Sequence, residues 1–120
     1  MISRAAVLVG EHAMEVRDFD VPDTLAPGGA LLRVEGSGMC GSDVEQYHGR
    51  TVEMGLHGYP VIPGHETVGR IAAIDDEGRE RWGVDLGDRV AVHGVGPCGS
   101  CDRCRAGRSC QHHFSHGFRS

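Results

Sequence analysis

The sequence predicts a mostly β domain, a partly closed barrel carrying one or two helical turns. Two observations carry this. Glycine is very high, 19 of 120 residues, and the apolar segments are short runs bounded by Gly and Pro rather than long amphipathic stretches. The length allows one domain with a modest core, spanning residues 1–120. Neither an internal repeat nor a linker is evident.

The elements follow in chain order. Ala5-Ala6-Val7-Leu8-Val9 is a short apolar strand, and Met14 to Phe19 alternates at period two, which predicts a half-buried strand. Pro22 and Pro27-Gly28-Gly29 mark a turn. Ala30 to Glu35 is the next strand, ending at Gly36-Ser37-Gly38. Ser42 to Tyr47 reads as one short helix, with Ser42 or Asp43 near its N-cap. A loop through Gly55, Gly58 and Pro60 leads to Val61 and on to a long strand from Thr67 to Ile74. Val84 to Asp88 is a turn into the strand Arg89 to Val92.

After that strand come four cysteines, Cys98, Cys101, Cys104 and Cys110. Two overlapping Cys-x-x-Cys steps place three sulfurs on one tight loop, and a fourth closes the set. Zinc takes four such thiolates in a tetrahedron at about 2.3 Å. Two disulfides are the alternative, but they need an oxidising compartment. The N-terminus (Met1-Ile2-Ser3-Arg4-Ala5) shows no signal-peptide pattern, and a total of five cysteines is an awkward count for a disulfide framework. A redox Cys-x-x-Cys expects a strand-to-helix setting, whereas Gly and Pro surround this one and no helix pattern follows Cys101. Structural zinc is preferred, in a cytoplasmic protein.

Composition excludes several functions. The net charge of −5 gives no electrostatic case for nucleic acid, and no apolar run approaches the roughly 20 residues of a membrane span. All 12 basic residues are arginine, which removes a Walker A lysine, a Schiff-base lysine and a lysine general base. Half of the eight histidines (His93, His112, His113 and His116) lie near the C-terminus, as a solvated tail or as neighbours of a metal. Gly36 to Gly41 and Gly94 to Gly99 both match G-x-G-x-x-G. A dinucleotide site needs a long helix after the glycine turn. The first match leads into a helix that is too short, and the second runs into the cysteine loop with Pro97 inside it.

The fifth cysteine, Cys40, pairs in a different way. Cys40 and His65 sit on two strand-to-loop junctions flanked by glycines. Thiolate with imidazole is a ligand mix that zinc takes in catalytic sites with an open position. Alone, each has a blander reading, as a buried inert thiol and a structural histidine.

Gly38-Met39-Cys40-Gly41-Ser42-Asp43, Pro63-Gly64-His65-Glu66-Thr67-Val68-Gly69, Gly87-Asp88-Arg89-Val90 and the loop Cys98 to Cys110 occur in order over essentially the whole chain. In this the chain resembles the N-terminal, GroES-like catalytic domain of the zinc-dependent medium-chain alcohol dehydrogenases. The resemblance implies a GroES-like, partly open β-barrel. It implies a catalytic zinc at Cys40 and His65, with Glu66 able to reach the metal or its water. It makes Ser42 the hydroxyl that contacts the substrate alcohol and starts a proton relay, and Cys98, Cys101, Cys104 and Cys110 the ligands of a structural zinc. The activity implied is hydride transfer between a small alcohol or polyol and NAD or NADP, in a full-length protein that is a homo-oligomer.

Three departures from the family pattern stand out. The third protein ligand and the Rossmann cofactor domain would lie beyond Ser120, so the chain by itself is expected to bind zinc without turning over. The family spaces its third and fourth cysteines more widely, and its usual position falls on His112; the fourth ligand is Cys110 with a tighter loop, or His112, with Cys110 favoured and His113 and His116 read as bystanders. The outer relay histidine of many members is replaced by Glu45, and His48 or Tyr47 could stand in for it, although a solvated helix face is the plainer reading. The plainer reading of Ser42 is a helix N-cap, which is compatible with the relay role, and that of Glu66 a surface carboxylate or the partner of an arginine, with a place near the site favoured for Glu66. The reading from a different class is a non-catalytic zinc module that binds a partner.

Overall fold

The computed structural model describes residues 1–56, 58–112 and 114–115; the expectations for His113 and His116 lie outside these. Strands β1 (Ile2–Gly10) and β2 (Ala13–Asp20) form an antiparallel ribbon. Strands β3 (Ala30–Gly38), β4 (Glu66–Ile74) and β5 (Arg89–Ala91) form a three-stranded antiparallel sheet in that order. Two-residue strands β6 (Val95–Gly96) and β7 (Phe114–Ser115) pair beyond it. The sheets do not close on one another, which agrees with the expected partly open, mostly β barrel. No helix among the described residues is long and apolar enough to cross a membrane.

The buried apolar core is small. Val7 and Leu8 of β1, Val61 and Ile71 are almost fully enclosed. Leu8 and Val61 also exchange two backbone hydrogen bonds, of 2.8 and 3.0 Å. This bridge joins the ribbon to the segment that leads into His65. Across the three-stranded sheet, Glu35 of β3 accepts from Arg70 of β4 at 3.1 Å and from Arg89 of β5 at 2.7 Å. Arg70 and Arg89 lie directly opposite each other, so the shared carboxylate offsets a like-charge cross-strand pair.

Several expectations need correction. β2 is exposed along its whole length rather than half-buried, because it is the outer strand of a two-stranded ribbon. Gly36-Ser37-Gly38, read as the end of β3, are themselves paired in it, past an irregularity between Val34 and Gly36, because β4 keeps pairing with them. Helices are more numerous than expected: α1 (Gly41–Tyr47), α2 (Arg50–Glu53), α3 (Asp76–Trp82) and α4 (Asp102–Arg105). α3 has ordinary end signals. Asp75 caps it by accepting from the Gly78 amide at 2.7 Å, and Gly83 ends it with φ of 66°. Its sequence, DEGRERW, is nearly all polar and lacks the apolar period by which a helix is read. Its anchors are tertiary: Gly28 donates to Asp75 at 3.0 Å and accepts from the Trp82 indole at 3.0 Å.

Candidate metal centres

The pairing of β3 with β4 assembles the first cluster. In the register, Gly38 lies opposite Glu66. Cys40 follows Gly38 by two residues and His65 precedes Glu66 by one, so both project from the same end of the ladder. A slip of one residue would turn alternate side chains to the other face and separate them. The structure thus brings together the predicted donors Cys40, His65 and Glu66, with ligand atoms all within 4.8 Å of one another. Two glycines leave the space. A Cβ on Gly38 would run into the Glu66 carboxylate, and one on Gly94 would come within 3.2 Å of the His65 Cβ.

Ser42 is not the N-cap, as one reading had it; Cys40 is, in extended conformation. Ser42 sits in the first turn of α1, where its hydroxyl and then its amide hold the Cys40 thiol below its ordinary value. His65 adds to this, while burial and the Glu66 charge oppose it. Hydrogen bonds to a thiolate favour the charged form, which is the form that binds metals.

Asp43 has a role that sequence reasoning missed. One carboxylate oxygen accepts from the Cys40 amide at 2.8 Å, and the other lies 3.7 Å from His65 Nδ1. It therefore bonds one donor residue and sets its charge near the other, and it is well shielded, with 12% of its side chain exposed. A carboxylate three residues after an N-cap is the signal of a capping box. It was masked because cysteine is not among the usual N-cap residues.

The second cluster is the cysteine loop. Cys98 and Cys104 sulfurs are 3.9 Å apart, and those of Cys101 and Cys110 4.0 Å. A tetrahedron with metal–sulfur bonds of about 2.3 Å has edges of about 3.8 Å, so the four sulfurs are already spaced for one ion. All five cysteines are free thiols. The spacing arises from a helical turn that the sequence reading denied: Cys101 caps α4, and its sulfur accepts from the Cys104 amide at 3.5 Å. The structure groups Cys110 with the other three sulfurs, and not His112; the His112 amide instead donates to the Cys110 sulfur at 3.2 Å.

Electrostatics also favour a cation here. The Ser100 amide, with the Cys101 amide and the Ser100 hydroxyl, holds Cys98 down to about 5. The Gln111 and Cys104 amides lower Cys101. Cys104 is pushed up to about 12, chiefly by burial and then by its sulfur neighbours. Four thiolates at this spacing need a counter-charge, and the donor chemistry of both clusters fits a borderline-soft dication such as zinc.

A partly open β-barrel that gathers thiolate, imidazole and carboxylate at one ladder end, beside a four-sulfur knot, is a domain with donor sets for two metal ions. The chain belongs to the alcohol dehydrogenase GroES-like domain family, whose profile it matches over residues 26–118. It is 41% identical to the erythritol/L-threitol dehydrogenase of Mycolicibacterium smegmatis, over 97% of this chain and 34% of the relative. Among solved structures it is similar to an alcohol dehydrogenase of Thermus sp. ATN1, with TM-score 0.78 and 31% identity over 97% of this chain and 32% of that one. It is also similar to a short chain alcohol dehydrogenase of E. coli CFT073 complexed with NADH, with TM-score 0.76 and 28% identity over 97% of this chain and 32% of that one. The chain thus spans about a third of the length of the relatives it matches.

Proposed function

We propose that the chain is the catalytic-domain portion of a zinc-dependent oxidoreductase that interconverts a small alcohol or polyol with its aldehyde or ketone, with NAD or NADP as hydride carrier. The convergence of Cys40, His65 and Glu66 at one end of the β3–β4 ladder carries this reading. These three would hold a catalytic zinc, and Cys98, Cys101, Cys104 and Cys110 a structural one. The catalytic ion, when bound, supplies Lewis acidity that makes a substrate hydroxyl easier to deprotonate near neutral pH. The nicotinamide, and the dinucleotide-binding domain that holds it, come from outside these 120 residues.

The protein's own groups divide the remaining work. Cys40 supplies a thiol that Ser42 and His65 bias toward the thiolate. The Asp43 carboxylate lies 3.7 Å from His65 Nδ1, where its charge favours a proton on that nitrogen and leaves the other to face a metal. The Ser42 hydroxyl, half-buried in the first turn of α1 and beside Cys40, accepts the substrate proton and passes it outward. Glu45, at the place of the family's outer relay histidine, is paired with Arg50 at 2.9 Å, so the proton leaves Ser42 by water rather than through an imidazole there.

Metal stoichiometry tests the reading. The purified chain is expected to carry two zinc ions by elemental analysis. Cys40→Ala should carry one and keep its far-UV spectrum. A single ion retained in full by Cys40→Ala would leave only the non-catalytic zinc module.

A further inference from the structure

A second imidazole-bearing junction lies where the β1–β2 turn meets the C-terminal end of α1. His12 occupies the turn with φ of 57°, and His48 is the C-cap of α1. His12 Nε2 lies 2.7 Å from His48 Nδ1, with the rings edge to face at 80°. Two further bonds join the same elements: the His12 amide donates to the Tyr47 carbonyl at 3.0 Å, and the Tyr47 hydroxyl donates to the His12 carbonyl at 3.3 Å. Neither histidine belongs to the two donor clusters described above.

The separation of the nitrogens constrains the protons. One ring must donate and the other accept, so the pair tolerates one imidazolium but not two. A second proton would point two N–H groups at each other and set two cations in contact. The charged neighbours offset only one of these charges. Glu11, in the turn, has a carboxylate oxygen 3.9 Å from His12 Nδ1. On the helical side, the Tyr47 hydroxyl is engaged on the His12 carbonyl, Glu45 is engaged by Arg50, and the Tyr59 hydroxyl faces the Gln46 carbonyl. Strand β1 just before the turn is held differently, by the Leu8–Val61 backbone bridge among buried apolar side chains, where nothing titrates.

We propose that His12 and His48 form a proton-operated latch. With one shared proton between the rings it holds the β1–β2 turn on the end of α1; a second imidazolium, which leaves no acceptor between the rings, releases the turn. Strand β1 stays in place at Leu8. The turn is released from the helix that Cys40 caps and whose first turn carries Ser42 and Asp43.

Nuclear magnetic resonance on the zinc-loaded full chain tests this. The two ring titrations should separate into two coupled steps. With the second step, exchange of the His12 amide, corrected for its intrinsic pH dependence, should rise by about tenfold while Leu8 and Val61 stay protected. In His48→Gln, His12 should titrate in one step and the pH-dependent rise should vanish. His12→Asn, a residue that accepts the left-handed backbone, should give the converse for His48. The latch is overturned if each ring titrates in one step that is unchanged by removing the other. It is equally overturned if protection of the His12 amide does not change with pH, or if Leu8 opens in parallel with it.

Discussion

Asp43 shows how one residue couples secondary structure to chemistry. Its carboxylate closes the first turn of α1 on the Cys40 amide and faces His65 with its other oxygen. Asp43→Asn keeps an acceptor for the amide and removes the charge beside the imidazole. The expected result is a loss of about 10- to 100-fold in zinc affinity at the Cys40–His65 site, the usual effect of altering such outer partners, with the cysteine-loop zinc unchanged. Competition with a chromophoric chelator would read both sites. At this scale the donors themselves were legible in the sequence, because cysteine and histidine have few other reasons to cluster beside glycines. Asp43 was not assigned this role, since an aspartate in a helical first turn has an ordinary capping reading that hides a second partner supplied by a distant strand.

At the scale of elements, α3 and the turn after it are held by side chains rather than by an apolar face. Asp85 accepts from the Leu86 amide at 2.7 Å and from Arg79 at 2.8 Å, and these, in that order, hold its carboxyl below the usual carboxylate range. A carboxyl depressed on folding contributes stability above its unfolded pKa, about 3.9; that contribution is lost as pH falls through the lower folded value. Asp85→Asn should therefore be less stable than the parent at neutral pH, and the gap in urea midpoint should close in strong acid. The pair is exposed, so the effect is small and should shrink further in high salt. The strands were legible from alternation and from short β-branched runs. Strand ends and α3 were not: β3 runs on to Gly38 through backbone pairing that no side chain signals, and α3 is a helix for which the Gly28 turn supplies the docking surface.

At the scale of the whole molecule the core is slight for the chain. The radius of gyration is 15.6 Å, against about 14 Å for a compact domain of this length. Large apolar side chains such as Val16, Met54 and Leu86 are more than half exposed. With so little buried apolar surface, a zinc bound in the four-sulfur loop would carry a large share of the stability. Cys101→Ser, or removal of zinc by a strong chelator, should lower the melting temperature measured by circular dichroism. Cys40→Ala should leave it close to the parent. An unchanged melting temperature in Cys101→Ser would mean that the four-sulfur loop does not support the fold.

The order of the motifs, the strand-rich composition and the two sets of candidate metal donors were legible in the sequence alone, because each depends on local residue chemistry and spacing. The choice of Cys110 over His112 in the sulfur cluster, the cap that turns Cys40 toward His65, and the meeting of His12 with His48 were decided only by the tertiary structure. Each rests on strand register or on contact between segments far apart in the chain, and such distances are set by the packing of the whole fold rather than by any local run of residues.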